Sequence, residues 1–351
     1  MKVILIGAGI SSAIISLLLR RQYGPAIKLV VFDKGRNIGG RMTTSFDSEE
    51  NPHCSVDTGA QYLTLTKSNS ITTKFFQQLI DDHVIELLDK QNTIGIRENQ
   101  DKIDYTAPRG IASIVRYFFE QAVVEMNLSK KITTIDFNST NDKFTISTDK
   151  EQIDEAEAVI VTIPVPQVLC QLKGSIAQLI DQNKEVKDNL SQIKYSSRFA
   201  VGLFYPSSVT KLNIPWRIYY VDKKEHDCLR FLAIDNAKRN KNEPPFSLIA
   251  QTSVEFGAKH IDDDKMIIGE EIKEKIFQFL PELSRDISNT KYHKWKYSQV
   301  IQSYPNQPGY VVLNEHPLLM LAGDSFAAES NFEACIQAAI ESVKKIHPLT
   351  T

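Results

Sequence analysis

The sequence predicts an α/β protein: a domain built on a parallel sheet, into which a second, sheet-rich α+β domain is inserted. Three observations predict it. The chain opens with an apolar strand (Val3 to Ile6), a glycine turn (Gly7-Ala8-Gly9), a helix-patterned stretch ending near Gly24, and a second apolar strand (Lys28 to Phe32). That is the order of a βαβ unit. The far end repeats the theme as a strand, a tight turn and a long helix, PLLMLAGDSFAAESNFEACIQAAIESVKKI. Between them, from 171 to 300, short strand-like runs take over. A length of 351 residues suits two domains.

The elements follow in order. The first domain is expected to use 1–66, 107–170 and 301–351, and the second 67–106 and 171–300. Residues 70–88 read as a helix with Phe75, Phe76, Leu79, Ile80 and Val84 on one face. A helix starts after Pro108 and Gly110, with Ile111, Ile114, Val115 and Phe118 as its stripe. Residues 132–148 form a hairpin turning near Asn141-Asp142. The run 156–164 is a buried strand stopped by Pro164 and Pro166. A helix is expected over 175–193, strands over 199–205, 216–221, 228–234 and 247–254, a helix over 264–280, and a return crossing over 294–305.

Composition is that of a globular protein, 42% apolar and 24% charged. A net charge of −2 argues against nucleic acid as a partner. Four scattered cysteines (Cys54, Cys170, Cys228, Cys335) suit free thiols in a reducing, cytoplasmic setting. Apolar residues 3–10 are used up as strand and turn, so no signal peptide is expected. No run of about 18 apolar residues suggests a membrane span. The seven histidines lack metal-site spacing, and Asp262-Asp263-Asp264 reads as a helix start rather than a metal site.

The chemistry lies in the glycine turns. A helix N-terminus offers unpaired N–H groups and partial positive charge to a pyrophosphate. Gly7 permits the tight turn, and Gly9 lets phosphate approach the backbone. Asp33, 24 residues past Gly9, ends the second strand where an acidic side chain accepts from an adenosine ribose. Ser12 holds the third position of this Rossmann-like fingerprint, where glycine or alanine is usual. That much suits NAD, NADP or FAD alike. Gly39-Gly40-Arg41 adds a second turn whose guanidinium suits phosphate oxygens. Gly323-Asp324, between a strand and a helix, is the arrangement a flavoprotein uses for the ribityl chain. Asp324 alone reads equally well as a helix N-cap. Together these features point to FAD.

The runs LLRRQ–GP (18–25), GGRMTT (39–44), DTGAQY (57–62), APRGIASI (107–114), TIPVPQVL (162–169), YSSRFAVGLFY (195–205), IDNAKRN (234–240), KWKYSQV (294–300) and AGDSFAAESNFEACI (322–336) come in an order and spacing that resembles the renalase family, within the flavin amine-oxidase-like group. The resemblance spans nearly the whole chain. It implies a para-hydroxybenzoate-hydroxylase-like two-domain fold with non-covalent FAD. It implies oxidation of dihydro-NAD(P) isomers, reduced at the 2 or 6 position of nicotinamide, to NAD(P)+, with O2 as acceptor and H2O2 as product. By the same resemblance Ser11, Arg41, Gln61 and Tyr62 contact FAD, Asp33 and Asp324 hold its two sugar portions, and Tyr220, Gln251 and Trp295 line the substrate pocket. Gln251 departs from the family in standing where some members carry histidine. No side chain is expected to act as nucleophile or strong base, because loss of the misplaced hydride restores aromaticity. Arg198, Arg230 and Arg239 are read as phosphate contacts or as ordinary salt bridges. Two other functions suit the same residues: a flavin amine oxidase, and a non-catalytic flavin-binding signalling protein. The oligomeric state is left open.

Overall fold

Apolar runs without alternation become strands buried on both faces, which is what a parallel sheet requires. In the computed structural model, which describes residues 1–48, 54–95 and 99–346, four such runs lie side by side. The sheet order is Tyr310–Asn314, Leu318–Ala322, Ala158–Val161, Lys2–Ile6, Lys28–Phe32 and Glu125–Asn127. All neighbours are parallel except the Tyr310–Asn314 edge. The chain leaves Lys2–Ile6 through the helix Ile10–Tyr23 to Lys28–Phe32 on one side, and later enters Ala158–Val161 on the other. Lys2–Ile6 is therefore the point where strand order reverses, the place where open α/β sheets bind ligands beyond their carboxyl ends.

Two compact units emerge. The first comprises Met1–Gly40, Val115–Lys194 and Val300–Thr351, the second Arg41–Ile114 and Tyr195–Gln299. Compared with the expected division, 41–66 and 107–114 group with the second unit and 171–194 with the first. Local bonding explains this. Thr44–Phe46 pairs with Ser55–Asp57, and the Thr44 hydroxyl donates to Asp57. Ser175 N–H donates to Asp136, and its hydroxyl accepts from Phe137 N–H.

The second unit is built on a six-stranded sheet ordered Asn289–Trp295, Arg198–Phe204, Ser247–Thr252, Leu229–Ile234, Ile218–Tyr220 and Thr93–Ile94. Alternation along these strands splits its two faces. Phe199, Val201, Leu203, Leu232 and Leu248 pack with Ile268, Ile272 and Ile276 of the helix Lys265–Phe279. The other face presents Ala200, Phe204, Ile218, Phe231, Ala233 and Ile249, with Val56, Tyr62, Tyr220 and Trp295 against them.

Several expected elements are shorter than their hydrophobic pattern. The helix 70–88 ends at Asp81, because His83 takes a φ of +53° and the chain turns extended. The helix 175–193 is two helices, Ser175–Gln182 and Lys184–Ser191, divided at Asn183, whose side chain accepts from Val186 N–H and caps the second. The crossing at 294–305 splits into the end of Asn289–Trp295 and the short strand Val300–Gln302. The 132–148 hairpin turns as expected, Asp142 having a φ of +53°. Asp264 caps the helix Lys265–Phe279 by accepting from Met266 and Ile267 N–H groups, the role expected of the aspartate run.

Candidate functional site

In the first unit the site is made of main chain. Gly7 has a φ of +116°, and a Cβ there would lie 2.7 Å from Thr162 Oγ1, so no other residue fits without strain. At Gly9 a Cβ would meet nothing within 4 Å. Gly9 precedes the helix Ile10–Tyr23 with no side-chain cap, leaving the helix's first N–H groups as donors for a ligand. Asp33 braces the turn: one carboxylate oxygen accepts Ala8 N–H at 2.7 Å and the other Gly35 N–H at 2.6 Å. Each oxygen keeps a lone pair for a ribose hydroxyl.

The second glycine turn rests on the first. Gly39 N–H donates to Ala8 O at 2.9 Å, Gly9 and Gly39 form a bridge, and a Cβ on Gly40 would lie 3.2 Å from Gly9 Cα. Ser12 is fully buried, its hydroxyl 2.8 Å from that of Thr162. That pair accounts for a serine at the third fingerprint position, since a buried hydroxyl is stable only with a partner. Gly323, with a φ of +120°, lies against Ser11: a Cβ there would be 3.4 Å from Ser11 Oγ. Asp324 is buried and accepts from Ser330 Oγ at 2.6 Å. It does not cap the long helix. That helix is Phe332–Lys344, capped by Asn331, and a short 3-10 turn, Asp324–Phe326, follows the strand. Gly7, Gly9, Ser11, Asp33, Gly323 and Asp324 thus gather at the carboxyl ends of adjacent parallel strands, with room over Gly9. This arrangement fits a dinucleotide: donors for a pyrophosphate, carboxylates for two sugar portions, and no Cβ in the way.

In the second unit the site is made of side chains, and one loop holds them. Within 57–62, Thr58 O accepts Trp295 Nε1–H at 2.7 Å, Gly59 O accepts Gln251 Nε2–H at 2.7 Å, and the Tyr62 and Tyr220 hydroxyls are 2.7 Å apart. Gly59 is required because a Cβ would come within 2.1 Å of Arg41 O. The Gln61 amide is engaged at both ends. Its NH2 donates to Asp57 O and Gly59 O, and its Oε1 accepts from Lys238 at 2.9 Å. Burial raises the pKa of both Tyr62 and Tyr220, so both hydroxyls stay protonated near neutrality.

Beneath the loop is a group that sequence reasoning missed. Asp57, Asp235, Lys238 and Arg239 are all at most 4% exposed. Lys238 lies 3.2 Å from Asp57 and 2.7 Å from Asp235, and Arg239 lies 2.9 Å from Asp57 and also pairs with Asp235. Arg239 further donates to Ser55 Oγ at 2.7 Å. Burial alone would raise the Asp57 pKa, but Arg239 and Lys238 hold it below the usual carboxylate value. The short helix Asp235–Lys238 puts one acid within reach of cations three and four residues on. Arg239 is therefore neither a phosphate contact nor a surface ion pair. Arg230 donates to the carbonyls of His226, Asp227 and Leu229, and Arg198 to that of Thr252. Arg41 is half-buried. All four cysteines are free, with only Cys170 exposed. Among the described residues no group of His, Cys, Asp or Glu could hold a metal ion, and no helix is long and apolar enough to cross a membrane.

Known proteins share this fold. Residues 5–79 match the NAD(P)-binding Rossmann-like domain, and residues 93–347 match the flavin containing amine oxidoreductase family. Mouse (Mus musculus) renalase is 33% identical over 346 residues, covering 98% of each chain. Among solved structures, a candidate protoporphyrinogen oxidase from Exiguobacterium sp. 255-15 superposes with a TM-score of 0.71 at 10% identity, covering 98% of both chains. A Pyrococcus furiosus protein does so with a TM-score of 0.61 at 11% identity, over 98% of this chain and 97% of its own. These two share the fold. The family matches establish FAD as cofactor, flavin-dependent oxidoreduction as the reaction class and a small molecule as substrate. The chain belongs to the renalase family, within the flavin containing amine oxidoreductases.

Proposed function

We propose that this chain oxidises dihydro isomers of NAD(P), reduced at the 2 or 6 position of the nicotinamide ring, to NAD(P)+, with O2 as acceptor and H2O2 as product. The observation that carries the reading is the face holding Tyr220, Gln251 and Trp295. It is aromatic and amide-bearing, and all three side chains are tied to the 57–62 loop. Such a surface holds a flat ring and offers no nucleophile or base of neutral-range pKa. An isomeric dihydronicotinamide needs neither, because losing its hydride restores aromaticity.

The chemistry that FAD supplies when bound is acceptance of that hydride at N5 and delivery of both electrons to O2. The remaining work falls to the chain. Gly7 and Gly9 keep the backbone clear for the pyrophosphate, and the uncapped helix start donates to it. Asp33 accepts from the adenosine ribose and Asp324 from the ribityl chain. Ser11, Arg41, Gln61 and Tyr62 complete the non-covalent contacts, Gln61 through the loop it braces. Trp295 supplies a stacking wall, while Tyr220 and Gln251 limit the poses a ring can adopt. Productive orientation of the reacting atoms, at roughly 3–3.5 Å, is the main rate contribution a protein makes to such a step.

The test is an anaerobic titration of the purified flavoprotein with 6-dihydro-NAD, with its 2-dihydro isomer, and with a panel of amines. Loss of the flavin absorbance band with a dihydro isomer is the expected result. Bleaching by amines alone would convert the reading to an amine oxidase, the activity that the family match over 93–347 favours next.

A further inference from the structure

A series of hydrogen bonds leads from the buried charges of the second unit to its ligand face. Lys238 is 1% exposed, and its ammonium has three N–H donors. Three acceptors meet them: Asp235 at 2.7 Å, Gln61 Oε1 at 2.9 Å and Asp57 at 3.2 Å. An ammonium can only donate, so the Gln61 atom facing it must be the oxygen, and the Gln61 NH2 must turn the other way. It turns to Asp57 O and to Gly59 O, the latter at 3.0 Å. Gly59 O accepts a second time, from Gln251 Nε2–H at 2.7 Å. A carbonyl can only accept, so the Gln251 amide is also held one way round, NH2 towards the loop and Oε1 away from that bond. The other end of the Gly59–Ala60 peptide is anchored as well, Ala60 N–H donating to Arg41 O at 2.9 Å. Register sets Gln251 on the same face as Tyr220: Gln251 stands opposite Phe231, and Phe231 opposite Tyr220.

We infer that Lys238 is a positioning residue for the ligand face: through the Gln61 amide and the Gly59 carbonyl it sets which way the Gln251 amide points. The inference rests on the place proposed above for Gln251 in substrate binding, and it names the group that orients that side chain. Lys238 has spent its three donors inside the protein and has almost no exposed surface, so it acts through others. Charge balance does not account for its third bond. Two carboxylates, Asp57 and Asp235, already answer two cations, Lys238 and Arg239. The remaining N–H goes to an uncharged amide, and that amide leads to the face. Hydrogen bonds in series polarise one another in low-dielectric surroundings. The ammonium therefore makes the Gln61 NH2 a stronger donor and holds the Gly59 carbonyl where Gln251 meets it. Gln251 Oε1 is then the acceptor that the face offers to an N–H of a ligand.

The experiment uses the FAD-loaded full chain carrying 15N-labelled glutamine, with the side-chain NH2 signals read by NMR. Gln251→Leu identifies the Gln251 signal by deleting it. Two changes cut the series at different links. Gln61→Leu removes the middle link and leaves all four charges in place. Lys238→Met removes the first, and is combined with Asp235→Asn so that the buried charges still balance. In both, the Gln251 signal is expected to move and its exchange with solvent to quicken by about tenfold, the worth of one hydrogen bond, with FAD content retained. A cation with a merely structural role would lower the unfolding midpoint and leave the Gln251 signal of the folded chain where it is. An unmoved signal in Gln61→Leu overturns the inference, whether or not the Lys238 variant folds. Rapid mixing with 6-dihydro-NAD gives a second reading. Gln61→Leu should weaken substrate binding by about tenfold, and added to Gln251→Leu it should cost little more than Gln251→Leu alone. Effects that add in full overturn the inference. A wild-type chain that no dihydronicotinamide reduces overturns the proposed function instead, and the Gln251 signal still decides the role of Lys238.

Discussion

The first unit makes its ligand cradle from backbone, while the second makes its ligand face from side chains hung on a single loop. The two constructions respond differently to change. A backbone cradle tolerates nothing that adds a Cβ in the wrong place, yet it needs few partners: two glycine turns, one bracing aspartate and an uncapped helix. The side-chain face depends on groups far away in sequence. Asp57 and Lys238 meet across 181 residues, and Trp295 reaches Thr58 across 237.

The largest test of this contrast lies under the loop. Lys238→Met leaves two buried carboxylates facing one guanidinium, and breaking such a group costs about 3–5 kcal/mol. Urea unfolding should register that loss, and a change below about 1 kcal/mol would show that the quartet does not brace the loop. Next comes a pair of alanines on the cradle. Gly7→Ala combines an unfavourable φ with a clash against Thr162 and should destabilise by about 3 kcal/mol. Gly9→Ala meets no protein atom within 4 Å, so its melting temperature should stay put while FAD titration shows a large drop in affinity. Equal FAD affinity in Gly9→Ala and wild type would remove the pyrophosphate from that position.

Smaller effects are expected on the aromatic wall. Trp295→Ala removes both the stacking surface and the bond to Thr58 O, and rapid-mixing traces should show substrate-driven flavin reduction slowed by about tenfold, roughly 1.4 kcal/mol. If those traces match wild type, Trp295 is packing alone. A further effect concerns pH. The His293 pKa is lowered from 6.5 to about 4 in the folded chain, so between those values the unfolded chain binds more protons. Stability contributed by the neutral ring is present above about 6.5 and is lost as pH falls towards 4. Subtracting the melting curves of His293→Leu from those of wild type across this window should reveal that slope, and parallel curves would place the ring in water.

How much could be read in advance follows the same contrast. Gly7, Gly9, Asp33, Gly323 and the apolar strands were legible because each is a local pattern: φ above zero, an open helix start, or a run without alternation. The extent of the 70–88 and 175–193 helices was not, because His83 and Asn183 interrupt a hydrophobic period that continues past them. The quartet was invisible for a different reason. Asp57, Asp235, Lys238 and Arg239 look like ordinary charges until the fold brings them together. The reason for serine in the glycine fingerprint is not local either, because its partner, Thr162, is 150 residues away.

The shared loop also bears on how this face can change. Gln251, Trp295, Tyr62 and Gln61 all answer to residues 57–62, so a substitution at any one shifts the footing of the others. Substitutions that share partners do not add. A redesign of substrate choice that works through Gln251 and Trp295 separately would then give a double variant unlike the sum of its parts. Lineages altering this face would have to move several positions together.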